Sequence, residues 1–288
     1  MSNVYQIVTE RILGCMDRGV VPWRKGWHAR SPRNMVSGRE YRGVNVLLLQ
    51  AAPYQSEWWL TFKQARDLGG TVRRGEHGCP VVYFKSHDDE NAAEREQDRR
   101  RFVARYFTVF SVEQCEGICA PPSVAPAPFD PIAACEQIVS GYRNPPTIYH
   151  GGNVACYVPS RDAIHIPSHA AFAAPTEYYS TLFHEIVHSS GAAHRLARKG
   201  VVDGARFASH TYSAEELVAE IGAAFLCAEG GIAPATLENS AAYVDHWSRA
   251  LRSNPRWLVE ASGQAAKSAD FVLGRASSSN EQTPQQAA

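Results

Sequence analysis

The sequence predicts an α+β protein of two domains, a small basic α+β domain followed by a mainly helical domain with a small sheet. Three observations carry this reading. Residues 120–131 place five prolines (121, 122, 126, 128 and 131) in twelve positions. Proline fixes φ and lacks a backbone donor, so this stretch reads as an extended spacer. Charge divides near the same place. Of 29 basic and 29 acidic residues, residues 1–85 hold 13 and 6, a balance of +7, which leaves 16 and 23, a balance of −7. Finally, helix and strand patterns mix before the spacer, whereas helical patterns dominate after it.

The elements follow in order. An amphipathic helix is expected over about 3–18; Glu10 and Asp17 break any apolar run, so this is not a signal peptide. A Trp/Arg/Lys-rich loop runs from Pro22 to Arg33, then helices near Asn45–Ala51 and Phe62–Leu68. Strands at Val81–Lys85 and Phe102–Phe110 flank a charged, solvated stretch, His87–Arg101. The first domain is thus 1–119, the spacer 120–131 and the second domain 132–275. The second domain should begin with a helix at 131–140 and a strand pair within 147–166. A central helix follows at about 176–190, with others at 214–228, 240–252 and 255–272. The tail 276–288 is too polar to bury anything and is expected to be disordered.

No apolar run reaches the length of a membrane span, so no membrane partner is expected. The seven cysteines are odd in number and scattered. They read as reduced thiols in a cytoplasmic protein rather than as a disulfide framework or a four-cysteine zinc site.

The sharpest chemistry is His184-Glu185-Ile186-Val187-His188. Residues four apart share one helix face, so His184 and His188 can offer two imidazole nitrogens to one ion. Glu185 then stands as general base for the water to be activated, the catalytic role of this motif. Leu182, Phe183, Ile186 and Val187 make the helix largely buried, and buried ionisable groups need partners. The His, His, Glu set suits Zn2+, and Mn2+ stays open.

A third ligand is required. The stretch Ala214–Leu226 sets Glu215, Glu216 and Glu220 among apolar or small residues. Glu216 and Glu220 lie four apart on one face, resembling the gluzincin pattern in which the first carboxylate binds metal and the second orients a histidine. Glu216 is then the ligand and Glu220 its support. Ser213-x-x-Glu216 also spells a capping box, which would make Glu220 the ligand instead. Glu215 is a further candidate, and His194, six residues past His188 with Gly191 between, is a competitor of another kind. Asn153–Ile166 alternates like an edge strand beside such a site. Tyr157, Asp162 and His165 are its polar members and candidate cleft residues.

The basic domain interleaves aromatics with cations: Trp23, Arg24, Lys25, Trp27, Arg30, Arg33, Arg39, Tyr41, Arg42, Asn45, Trp58, Lys63, Arg73 and Arg74. Single-stranded nucleic acid is held by such a mixture, cations on phosphates and aromatic faces on bases.

Across nearly its whole length the chain resembles the ArdC family of plasmid antirestriction proteins. The resemblance rests on Pro22-Trp23-Arg24-Lys25, Tyr41–Asn45, Trp58–Ala65, Val72–Glu76, Val109–Gln114, Phe183–His188 and Glu215–Glu220. Where family members often carry Trp-Thr-Gly after the second motif histidine, this chain has Ser189-Ser190-Gly191. The resemblance implies an N-terminal domain that binds single-stranded DNA and a C-terminal zincin-like metallopeptidase domain. It further implies protection of incoming plasmid DNA from host restriction during conjugation, with a restriction-related protein of the recipient cell as a candidate substrate. Two other classes remain at this stage: a DNA-shielding protein with a purely structural metal, and a metal-dependent nuclease. A nuclease usually uses a more oxygen-rich site.

Overall fold

The structure, a computed structural model, describes residues 4–18, 21–23, 31–86, 102–121, 131–203, 210–232 and 241–275. The spacer's middle, the charged stretch before Phe102 and the tail after residue 275 lie outside the described residues.

The first domain is built from α1 (Val4–Met16), α2 (Val44–Gln50) and α3 (Phe62–Asp67) around short strands. Its main sheet joins β1 (Arg33–Asn34), β2 (Trp58–Thr61), β4 (Cys79–Ser86) and β5 (Phe102–Ser111) in the order β1-β2-β5-β4. β4 and β5 form a long antiparallel pair, with Val82 opposite Tyr106. A second two-stranded sheet pairs β3 (Thr71–Val72) with β6 (Cys115–Glu116). α3 starts abruptly after β2 because Thr61 and Gln64 form a reciprocal capping box, each side chain meeting the other's backbone N–H.

The second domain is mainly helical. It comprises α4 (Pro131–Gly141), α5 (Pro175–Ser190), α6 (Lys199–Val202), α7 (His210–Glu229), α8 (Ala241–Ser253) and α9 (Trp257–Val272). Its small sheet has the order β7-β9-β8, from β7 (Thr147–His150), β8 (Cys156–Val158) and β9 (Ala163–Ile166). β9 is parallel to β7 and antiparallel to β8, which leaves β8 as an edge. α5 has Pro175 in its first turn, where the missing N–H costs no hydrogen bond.

One expectation is corrected. α7 starts at His210, so Ser213 lies inside the helix and its backbone cannot serve as an N-cap. The capping-box reading of Glu216 therefore fails, and Glu216 sits well within the helix.

The core joins the two domains. Val8 and Ile12 of α1 and Val44 and Leu47 of α2 belong to the same buried cluster as Leu182, Leu217, Leu258 and Val272. The Thr9 hydroxyl donates to the Pro255 carbonyl at 2.9 Å across that junction. The basic domain keeps a smaller core of its own, with Leu49, Trp59, Cys79, Val81 and Val109. All seven cysteines are thiols. Among the described residues, no helix is long and apolar enough to cross a membrane.

Candidate metal centre

α5 is held from several sides by apolar packing: Tyr178, Leu182, Phe183, Ile186 and Val187 are buried. α7 crosses close against it. A Cβ on Gly222 would lie 2.9 Å from both Val187 methyls, so glycine is what permits this approach. That approach brings Glu216 of α7 to the two histidines of α5. His184 Nε2 and His188 Nε2 are 3.2 Å apart. Glu216 Oε2 lies 3.5 Å from His184 Nε2, and its Oε1 lies 3.6 Å from His188 Nε2. A tetrahedral ion with ligand bonds near 2.1 Å separates its ligand atoms by about 3.4 Å, so the three donors match one ion with a fourth position left over. Among the described residues this is the group of three whose donor atoms all lie within 4.8 Å of one another.

The electrostatics agree with the geometry. Burial pushes His184 down, but its hydrogen bond to Glu216 and the charges of Glu185, Glu220 and Glu216 outweigh that and hold its pKa up to about 9. Such a cluster of carboxylates favours a cation among them.

The histidines are aimed by their neighbours. His188 turns Nδ1 to Glu215 Oε1 at 3.3 Å, which leaves Nε2 for the ion. Glu215 is buried and forked by Arg198, whose Nη2 reaches Oε1 at 2.6 Å and Nε reaches Oε2 at 3.1 Å. Burial pushes the Glu215 carboxyl up, but the bonds from His188 and Arg198 prevail and hold it below the usual range. Arg198 also donates to the Val187 carbonyl, the Ser190 hydroxyl and the Ser268 hydroxyl of α9. Arg198 and the supporting role of Glu215 are what sequence reasoning missed. Glu215 was visible only as a neighbour of the favoured glutamate, and nothing in spacing marks Arg198.

The remaining candidates fall into place. Glu185 is buried and accepts the Tyr157 backbone N–H of the edge strand β8 at 2.7 Å. Glu220 acts on His184 by charge and stands outside the three-donor group. His194 stands outside it too, with Nε2 3.3 Å from Asp162 Oδ2. The Tyr157 hydroxyl donates to Asp162 at 2.9 Å; burial and that carboxylate push the phenol up to about 12, so it keeps its proton. His165 stacks on Tyr149, ring centres 5.4 Å apart.

Asp162 sits in left-handed backbone at φ 45° and receives both terminal nitrogens of buried Arg195, at 2.7 and 2.8 Å. Burial pushes its carboxyl up, yet Arg195 and Tyr157 together hold it below its ordinary value. A carboxylate with a lowered folded pKa stabilises above its unfolded value and loses that contribution as pH falls through the folded one. Asp162→Asn, which tolerates the same backbone, should therefore cost about 1.5–3 kcal/mol at neutral pH, the worth of hydrogen bonds to a charged group. Paired denaturant titrations at neutral pH and below about pH 3 check it. The gap between wild type and variant should narrow in acid, and a constant gap would refute the assignment.

The candidate DNA contacts scatter. Arg24, Lys25, Trp27 and Arg30 lie outside the described residues. Trp23 is a correction: it is 0% exposed, edge-on to Trp247 with ring centres 6.4 Å apart, and presents no face to a base. Asn45 spends its amide on the backbone of Val82, donating at 2.8 Å and accepting at 2.7 Å. Arg39, Lys63 and Arg74 are exposed, and Arg73 pairs with Glu76 at 2.8 Å. Arg33, Tyr41, Arg42 and Trp58 line one cleft between the domains.

A His-Glu-x-x-His helix, a glutamate from a following helix and a short edge strand together define a zincin-like metallopeptidase domain, here attached to a basic α+β domain. Comparison with known families divides the chain in the same way. Residues 135–264 match the zincin-like metallopeptidase family, and residues 2–110 match the N-terminal domain of the anti-restriction factor ArdC. The chain is 34% identical to the Mn(II)-bound crystal structure of the antirestriction ArdC protein from plasmid R388, covering 96% of this chain and 99% of that one with a TM-score of 0.74. The metal-free crystal structure of the same protein gives 34% identity, coverage of 94% and 97%, and a TM-score of 0.73. Protein y4eC of Sinorhizobium fredii is 34% identical over 94% of this chain and 92% of its own length. A DNA primase TraC of Escherichia coli is 32% identical over 98% of this chain, which spans 28% of that protein. The chain belongs to the ArdC family of antirestriction proteins.

Proposed function

We propose that this protein binds single-stranded DNA through its basic domain and hydrolyses peptide bonds at the His184, His188 and Glu216 centre. In this reading it protects incoming plasmid DNA from host restriction during conjugation. The observation that carries the enzymatic half is the convergence of three donor atoms beside a buried, positioned Glu185. When bound, an ion there supplies Lewis-acid polarisation of a carbonyl and acidifies water. Zn2+ and Mn2+ both suit the donor set, and the Mn(II)-bound crystal structure of the R388 protein supports the second. Glu185 is the group that accepts the proton of the attacking water and returns it to the leaving amine. The Tyr157 N–H fixes which way its carboxylate faces. Glu215 and Arg198 hold His188 in one tautomer and orientation.

The DNA half is supported by the charge balance of residues 1–85 and by the relatives that are antirestriction proteins and DNA primases. A cytoplasmic setting follows if DNA is the partner.

Glu185→Gln separates proteolysis from shielding, because it removes the base and keeps the shape. Plasmid transfer into a restricting host should lose its protection in this variant, while single-stranded DNA binding and the melting temperature stay at wild-type values. Full protection by the variant would show that proteolysis is not the protective step.

A further inference from the structure

Between the two domains lies a cleft of about 500 Å³, lined by none of the metal-centre residues His184, Glu185, His188 and Glu216. The first domain lines it with Arg33, Tyr41, Arg42 and Trp58, and the second with Asp270 and Arg275, beside Ala266 of α9. The volume falls in the range of small-ligand pockets.

Its charge is informative. Arg33, Arg42 and Arg275 face Glu40, Glu57, Glu229 and Asp270, three guanidiniums against four carboxylates. They are arranged in pairs: Arg33 Nη2 is 2.6 Å from Glu40 and its Nε is 3.6 Å from Glu57, Arg42 meets Asp270, and Arg275 Nη2 is 2.5 Å from Glu229. A net negative lining does not attract phosphate. Alternating donors and acceptors beside an aromatic ring instead match a neutral planar group with both on its edge. Nucleobases have that edge; arginine reads carbonyl and ring-nitrogen acceptors, and carboxylates accept from amino groups.

We propose that the cleft receives one base of single-stranded DNA, turned out of the strand against Trp58 and Tyr41 and edge-bonded by the Arg and Asp/Glu pairs. This rests on the DNA-binding reading above and adds to it that the metallopeptidase domain shares in holding the strand. The phosphates then follow the exposed cations of the first domain, and the base carries the contact that spans both domains.

The test is a blocking substitution. Ala266 contributes no charge and no catalytic group, and Ala266→Trp fills the cleft from the α9 side without removing any packing. With full-length protein, fluorescence anisotropy compares a short deoxycytidine oligonucleotide with an abasic strand of the same length. Affinity for the oligonucleotide should fall about 10-fold or more, the scale of losing a base contact. Affinity for the abasic strand should be unchanged, and thermal melts should show the fold retained. Trp58→Leu should reproduce the selective loss. Equal affinity of Ala266→Trp and wild type for the oligonucleotide overturns the proposal, as does an equal loss for both strands, which would mark a backbone groove. Wild type failing to bind either strand would overturn the DNA-binding reading itself.

Discussion

Arg198→Ala should destabilise the protein by about 3–5 kcal/mol, because it leaves the buried Glu215 carboxylate without its counter-charge. The guanidinium uses all its reach: Glu215 in a fork, the Val187 carbonyl in the metal helix, Ser190 at that helix's end and Ser268 on α9. Three helices are thereby fixed at one point, and His188 is fixed through Glu215. Arg198→Lys should recover little, since an ammonium cannot fork a carboxylate and reach three more acceptors. Arg198→Met combined with Glu215→Met should be more stable than either single change, because removing both charges of a buried pair is often nearly neutral. The double variant should still bind metal about 10–100-fold more weakly than wild type, since His188 has lost its orienting partner. Denaturant melts of these variants and wild type, together with zinc titrations, decide the matter. A single Arg198→Ala variant as stable as wild type would remove Arg198 from the framework of the site.

What could be read in advance follows from how local each signal is. The His184–His188 spacing is a helix property, so the approach of these two imidazoles, with Glu185 beside them, was legible in five residues. Most helices and the β4–β5 pair were legible for the same reason, whereas the short β1, β2, β3 and β6 were not, and Asn153–Ile166, read as one edge strand, folds into β8 and β9 with β9 in the middle of its sheet. The order of the glutamates was harder, because it depends on how α7 is rotated against α5. The contact of Gly222 with Val187 fixes that rotation, and no pattern in α7 alone reports it. The apparent capping box at Ser213 belonged to a helix that starts earlier, at His210. Trp23 shows the opposite limit: an aromatic beside cations has the same sequence signature whether it stacks on a base or fills a core. Ser189 and Ser190, where family members often carry Trp-Thr, are explained by the structure. Ser189 meets the Tyr142 hydroxyl at 3.2 Å and Ser190 accepts from Arg198 at 2.8 Å.

Glu216→Ala should abolish stable metal binding, and by more than the roughly 10–100-fold that losing an orienting partner costs. The reasoning is geometric and electrostatic together. Without Glu216 the site keeps two imidazoles and one fewer negative charge, and a divalent ion loses both a donor and the main hydrogen-bonded counter-charge of His184. Glu220→Gln should weaken binding far less, because Glu220 stands outside the three-donor group and acts on His184 through its charge. His194→Ala should leave it unchanged, its imidazole being turned to Asp162. Calorimetric titration of each purified variant with Zn2+ and with Mn2+ ranks the three directly. If His194→Ala lost the metal while Glu216→Ala kept it, α5 would have to bind its ion through the turn that follows it rather than through α7. The close packing of Gly222 on Val187 would then have no part in the site. The helix pair instead brings the carboxylate of Glu216 within 3.6 Å of both imidazoles.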